Sequence, residues 1–220
     1  MLMRDTEIMQ AIQNGEIVIN PYEERNLQGA SYDFALGGEA LVSNSDEKLL
    51  LAPDRSTSLH LNPGDFALVL TKESVKVAND IAGVIGMRSA LARRGLILLA
   101  GMQIDPGFQG HLRFGLYNAS PRRITLDYND GLCMIEFHRL SGPVKNPQPL
   151  NRELVEGRIP ESDRAYLRTL ETTSLSDLGQ NMRTLSQNVD TLARQIKWMA
   201  FFVVPTILAI LGLVLAIVLR

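Results

Sequence analysis

Short apolar runs separated by Gly- and Pro-containing turns fill the first two thirds of the chain. Ala40-Leu41-Val42, Leu49–Leu51, Phe66–Leu70, Leu96–Leu99, Leu112–Tyr117, Arg123–Leu126 and Leu132–Phe137 read as strands. Turn clusters such as Asn62-Pro63-Gly64 and Asn129-Asp130-Gly131 lie between them, and the second is a strong local hairpin signal. Many short strands at about ten-residue spacing predict an all-β sandwich or barrel. Before them, residues 5–14 form an amphipathic pattern with Ile8, Met9 and Ile12 on one side, capped by Asp5 or Thr6 and stopped by Gly15. Glu16 to Asn20 alternates as a brief strand closed by Pro21, and Thr71-Lys72-Glu73-Ser74 reads as a polar loop. The β-pattern ends near Pro143, which sets a first domain at 1–144.

Residues 145–173 are densely charged and poor in apolar positions, so they read as a charged linker with a helical turn around Asp163 to Leu170. The pattern then changes. Leu175, Leu178, Met182, Leu185, Val189, Leu192 and Ile196 alternate in steps of three and four. That is the a/d seam of a coiled coil over 174–197, or the apolar stripe of a helix packed on the β-domain; the strict 3.5-residue period favours the coil. From Met199 to Leu219 no residue is ionisable. At ~1.5 Å rise per residue this run spans roughly 31 Å, which suits one transmembrane helix, with the anchor set at 198–220. Trp198 fits an interfacial position. Arg194 and Lys197 precede the run and Arg220 follows it, which puts the β-domain on the cytoplasmic side of the membrane.

Composition narrows the chemistry. A formal net charge of −2 and a pI of about 5.9 do not point to nucleic acid as a partner. Cys133 is the single cysteine, so no internal disulfide is expected, and His60, His111 and His138 lack metal-ligand spacing. Residues 1–15 are charged and lack an apolar core, so they do not read as a secretory signal.

The polar chemistry concentrates between Met87 and Ser120, MRSALARRGLILLAGMQIDPGFQGHLRFGLYNAS. Arg88, Ser89 and Arg93 come first, and two guanidiniums with a hydroxyl suit a polyphosphate, or equally ion pairs on the rim of a β-domain. Asp105 follows a buried strand and suits a water or a sugar hydroxyl. Asp33, in GASYDFALGG, is either a site residue or a turn or cap residue.

RSALARRGL followed by IDPGFQGHLRFGLYNAS resembles the dCTP deaminase and trimeric dUTPase superfamily. The opening helix, the I-x-I-N-P segment, Gln28 to Gly37 and LNPGDFALVLTKESVKV add to the likeness. The resemblance implies a mainly β, dUTPase-like distorted β-barrel of jelly-roll type, followed here by the coiled-coil helix and the transmembrane helix. It implies a homotrimer whose nucleotide lies between subunits. Phosphate contacts fall on Arg88, Ser89 and Arg93, pyrimidine-edge contacts on the backbone around Ala100, Gly101 and Gln103, and the sugar 3′-hydroxyl or attacking water on Asp105. The substrate would be dCTP or dUTP, with Mg2+ carried by the triphosphate and no metal held by protein side chains alone.

The departures from the family pattern matter as much. Deaminases place a glutamate in the strand before the YN pair, and that position is Gly115 here. Glycine cannot act as an acid or a base. The arginine that deaminases place before the I-D pair is Gln103, and the second serine of the phosphate segment is Ala90. Glu136 is a substitute only if it points into the same pocket. The Gly-rich closing arm of dUTPases is not seen. Asp105 makes dUTP diphosphohydrolysis easier to support than dCTP deamination. The alternatives are a deaminase with a substitute acid/base, a non-catalytic dCTP or dUTP sensor, and a β-domain used as an assembly module for the membrane segment.

Overall fold

The computed structural model describes the chain except residues 44–47, 55–56, 170–174, 204, 207–209, 213–216 and 218–220. The chain divides into two compact units, Met1–Ser174 and Leu175–Arg220.

The first unit is mainly β. Its strands are β1 (Ile17–Asn20), β2 (Tyr32–Val42), β3 (Lys48–Leu50), β4 (Leu59–Leu61), β5 (Phe66–Val77), β6 (Ile81–Met87), β7 (Leu96–Leu99), β8 (Gln103–Ile104), β9 (Gln109–Asn118), β10 (Ile124–Leu126) and β11 (Gly131–Arg139). Its helices are α1 (Asp5–Gln13), α2 (Ser89–Ala92), α3 (Arg152–Val155) and α4 (Glu161–Thr169). The main sheet runs β7-β9-β5-β2-β11-β6-β8, with β1 beside β5 and β3 beside β2. Its two end strands, β7 and β8, are joined in sequence by Ala100, Gly101 and Met102 alone. Three residues reach only ~10 Å, so the sheet must curl until its ends meet. The result is an open, distorted barrel with the Ala100–Met102 turn at its seam.

Alternation along the strands fills the barrel. Phe34, Leu36, Val69, Val75, Leu112, Phe114, Leu116, Ile135 and Phe137 are all buried in one core. Two expectations from the sequence are corrected here. The hairpin expected at Asn129-Asp130-Gly131 does not form: β10 pairs with β4 in a separate two-stranded sheet, whereas β11 pairs with β2 and β6. The local turn is present, with Asn129 at φ +70, but longer-range pairing decides which strands meet. Thr71–Ser74 is not a loop. It lies inside β5, where the pairing with β9 shifts register between Leu70 and Ser74. The bulge turns Thr71 and Glu73 inward, and their side chains take over ladder bonds: Thr71 Oγ1 accepts from Leu112 N–H at 2.9 Å and Glu73 Oε2 accepts from Ala35 N–H at 2.8 Å.

The segment read as a charged linker is, up to Thr169, packed structure. Leu154, Ile159 and Leu167 join Leu41 and Leu70 in a second buried cluster on the outer face of the sheet. Asn151 caps α3 by accepting from the Glu153 and Leu154 N–H groups. The three apolar side chains are spaced too irregularly to announce themselves, yet each contributes roughly 1.5–3 kcal/mol on full burial. The remainder of that stretch, 170–173, lies outside the described residues.

In the second unit α5 (Leu175–Trp198) is one continuous helix, followed by a π-helical turn at Met199–Val203. Met182, Leu185, Val189, Leu192 and Ile196 stand between 56% and 73% exposed on it. Among the described residues no helix is long and apolar enough to cross a membrane. The apolar run that begins at Met199 lies in part outside them.

Candidate functional site

Two depressions that share no lining residue take up Arg88 and Asp33 on one side and Ala100 and Gly101 on the other, and Gln103 and Asp105 lie outside both. The first is a shallow depression of about 190 Å³ lined by Arg25, Asn26, Asp33, Ala35, Arg88 and Gly131, among others. Arg88 lies between β6 and α2, at the N-cap of the helix, and its guanidinium reaches back over Gly131 of β11. A Cβ on Gly131 would fall 1.7 Å from Arg88 Nη1, so the glycine is what lets the side chain lie flat there. Arg88 pairs with Asp33 at 3.6 Å. Asp33 is therefore a strand residue of β2 with an ionic partner, and not a turn or cap residue. Ser89 and Arg93 are exposed at the two ends of α2. Beside them Lys72 Nζ donates to Glu23 Oε1 at 2.9 Å and to Asn129 Oδ1 at 2.7 Å. The hydrogen bonds from Lys72 and Arg25 hold the Glu23 carboxyl below the usual carboxylate range.

The second is a cleft of about 370 Å³ on the outer face of the sheet. Phe66, Leu68 and Leu99 wall it, Gly115 lies on its floor, and Ala100 and Gly101 of the seam turn edge it. A Cβ at Gly115 would sit 2.4 Å from Phe66 Cε2 and 3.2 Å from Leu99 Cβ. The Phe66 ring thus occupies the space into which a side chain at 115 would project. Helix α4 covers the cleft with Asp163, Tyr166 and Leu167. Asp163 pairs directly with Arg113, two residues before Gly115 on the same face of β9. A second ion pair, Arg164 with the buried Glu39, fastens the other side of α4.

Gln103 and Asp105 lie apart from both linings. Gln103 Nε2 donates to Asp105 Oδ1 at 2.8 Å, and both residues are exposed. Glu136 is not in the cleft; it lies on β11 with His138 Nε2 at 3.8 Å. Cys133 is fully buried, and burial beside the Glu73 and Asp33 carboxylates pushes its thiol far up, so it is no nucleophile. No three His, Cys, Asp or Glu side chains among the described residues group as metal ligands.

The sequence profile of the dCTP deaminase-like family matches residues 2–140. The chain belongs to this family. It stands with that among the enzymes of the dCTP deaminase and dUTPase superfamily. It is 43% identical over 132 residues to the dCTP deaminase of Thermococcus kodakarensis, covering 60% of this chain and 82% of that protein. It is 35% identical over 170 residues to the dCTP deaminase of Shewanella sp. (strain ANA-3), covering 67% and 88%. Among solved structures, 2′-deoxycytidine 5′-triphosphate deaminase from Agrobacterium tumefaciens superposes with a TM-score of 0.52 at 18% identity, covering 63% of this chain and 48% of that one. At that identity the likeness speaks for the fold alone. The family match ends at residue 140, so helix α4, which roofs the cleft, lies beyond it. Arg113 was not read as a site residue from the sequence, and its same-face spacing to Gly115 on an alternating strand is the signal that could have found it. Phe66, on a neighbouring strand, and Asp163, nearly fifty residues downstream, carry no local signal that would have placed them there.

Proposed function

We propose that this protein binds deoxypyrimidine triphosphates at sites shared between three copies of the chain, and that it hydrolyses dUTP more readily than it deaminates dCTP. The observation that carries this reading is the pairing of a retained phosphate segment, Arg88-Ser89 and Arg93, with a bare floor at Gly115. Fixed positive charge is enough to hold a triphosphate. Ring deamination also needs a positioned group that changes protonation state, typically contributing ~10²–10⁴-fold, and Gly115 offers none.

Arg88 leaves Asp33 for the phosphates, or shares itself between them, and Ser89 and Arg93 add a hydroxyl and a second guanidinium. Asp105 holds the sugar 3′-hydroxyl or orients the attacking water, while Gln103 keeps its carboxylate turned. Mg2+ suits this donor set as an ion that arrives on the triphosphate and asks for one or two protein carboxylates. When bound it would neutralise phosphate charge on the triphosphate. Water attack on the α–β anhydride would yield dUMP and pyrophosphate.

Three copies are supported by the separation of the phosphate half from the base half within one chain, and by the exposed heptad face of α5, which a three-stranded coil would cover. The apolar run after Trp198 supports a single C-terminal anchor in the lipid bilayer, with the β-unit in the cytoplasm. A second reading, a non-catalytic nucleotide sensor, is favoured by Gly115 and Gln103 together. Purified protein incubated with dCTP, dUTP and Mg2+, and read for ammonia and pyrophosphate, tests these readings. Pyrophosphate that vanishes in Asp105→Asn with nucleotide binding retained supports the hydrolase. Binding without either product makes the protein a sensor. Ammonia at ordinary enzymatic rates (~1–10³ s⁻¹) overturns the preference for dUTP hydrolysis. Light scattering of the detergent-solubilised chain checks the trimer, and resistance to a carbonate wash checks the anchor.

A further inference from the structure

We propose that the Arg113–Asp163 pair reads the hydrogen-bonding edge of the pyrimidine. This rests on the nucleotide reading above and adds to it the residues that would recognise the base. The cleft of about 370 Å³ is at the small end of ligand pockets, which run roughly 300–1,000 Å³. Its walls, Phe66, Leu68 and Leu99, are apolar and suit the faces of a flat ring. Its charged groups are one guanidinium from β9 and one carboxylate from α4, side by side and partly exposed, at 36% and 27%.

One strong donor beside one strong acceptor is the complement of a pyrimidine edge. Uracil presents N3–H beside O4, so N3–H donates to Asp163 and O4 accepts from Arg113. Cytosine presents the reverse order, N4–H₂ where uracil has O4 and a bare N3 where uracil has N3–H, so the same pair opposes it in that pose. In the ligand-free chain the two side chains satisfy each other. Gly115 leaves the floor of the cleft without a competing polar group. Helix α4 does not depend on Asp163 to stay in place: Leu167 is buried beneath it and Arg164 binds Glu39. Changing Asp163 therefore alters the reader without removing the roof.

The test is calorimetric titration of the full chain, wild type against Asp163→Asn, Arg113→Gln and Arg164→Gln. The ligands are dUTP, dCTP, N3-methyl-dUTP and 2-deoxyribose 5-triphosphate, which has no base. Asp163→Asn and Arg113→Gln are expected to weaken dUTP by about 10- to 100-fold, as for hydrogen bonds to charged groups, and dCTP, whose edge is reversed, by less. The base-less triphosphate should change less than about twofold in both. N3-methyl-dUTP, which has lost its donor, should bind wild type at least tenfold more weakly than dUTP. Arg164→Gln should move all four ligands alike. Equal losses for dUTP and the base-less ligand would reduce the pair to a structural latch. Tighter binding in Asp163→Asn would make α4 a plug and overturn the proposal. If wild type holds the base-less triphosphate as well as dUTP, the nucleotide reading stands and the edge reader falls. If it holds none of the four, the nucleotide reading falls and takes the pair with it.

Discussion

The Arg88 depression and the Gly115 cleft are built on opposite principles. The charge in the depression is already paired: Arg88 with Asp33, and Arg25 with Glu23. The cleft is made of apolar walls with one ion pair at its rim. A glycine is decisive in each, for contrary reasons. Gly131 is empty so that a guanidinium can lie across the backbone, whereas Gly115 is empty and an aromatic ring has moved over it. The difference separates what a binding site needs from what a deaminating site needs. Fixed charge survives in the first half. In the second, position 115 has no side chain to titrate, and Phe66 stands in the room one would use.

The largest expected effect comes from breaking the charged half. Arg88→Ala should weaken triphosphate binding by about 100-fold, the upper range for charge-assisted hydrogen bonds. It should also cost some stability by leaving Asp33, whose side chain is 18% exposed, without its cation. Asp33→Asn sharpens the comparison because it moves the other way. With its competitor neutralised, Arg88 should hold phosphate a few-fold more tightly. Titration with dUTP and with inorganic triphosphate reads both, and a loss in Asp33→Asn as large as that in Arg88→Ala would mean the pair is structural.

Most of the barrel was legible because strand periodicity and turn residues report local preference, and the buried core followed that alternation. The segment from Arg88 to Arg93 stood out as a candidate because its polar residues are adjacent in sequence. What stayed hidden has a common cause. Thr71 and Glu73 look like loop residues, yet they replace ladder bonds at a bulge, which only the register between β5 and β9 decides. Asn129-Asp130-Gly131 turns as its sequence asks, but β10 has a better partner in β4. The 145–169 segment is charged enough to pass for a linker, and its seating depends on Leu154, Ile159 and Leu167 finding the outer face of the sheet. The cleft collects residues from four separate segments, so neither Phe66 nor Asp163 could be assigned to it beforehand.

The next effect in size tests the apolar half. Gly115→Glu introduces the carboxylate that the family resemblance implies for deaminases at this position, but its Cβ would collide with Phe66. Overpacking of this kind typically costs ~1–3 kcal/mol, and a unit of this size loses roughly 2–4 °C in melting temperature per kcal/mol. Adding Phe66→Ala should relieve the collision, so the double variant should melt higher than the two single losses added together would allow. Additive losses would show that the ring yields without strain and that the two positions are independent. Ammonia release above the parent rate in the double variant alone would show that deamination is limited by this one volume.

The smallest effect concerns Glu73, which supports the charged half from below. Its side chain is fully buried, Oε2 accepts from the N–H of Ala35 in the depression's lining, and among the described residues Oε1 has no hydrogen-bond partner. Burial raises its carboxyl above the ordinary value of 4.5, with the Ala35 N–H opposing in part. A raised acid binds its proton more tightly folded than unfolded, so between the unfolded and folded values the native state holds more protons. Stability must then fall as pH rises through that window, beginning near 4.5. Each unit of difference is worth about 1.4 kcal/mol. Glu73→Gln has no proton to lose and keeps a carbonyl for Ala35 N–H, so its denaturation midpoint should lack this decline. Denaturant titrations of both proteins from pH 4 to 8 (~0.5-unit steps) would read the divergence. Parallel curves would mean that Glu73 stays ionised in the core, held by a partner such as a buried water. Nucleotide affinity should follow the same pH trend for the base-less triphosphate, since the Arg88 depression shares the Ala35 strand. The Arg113–Asp163 contribution, measured as the affinity ratio of dUTP to that ligand, should stay flat.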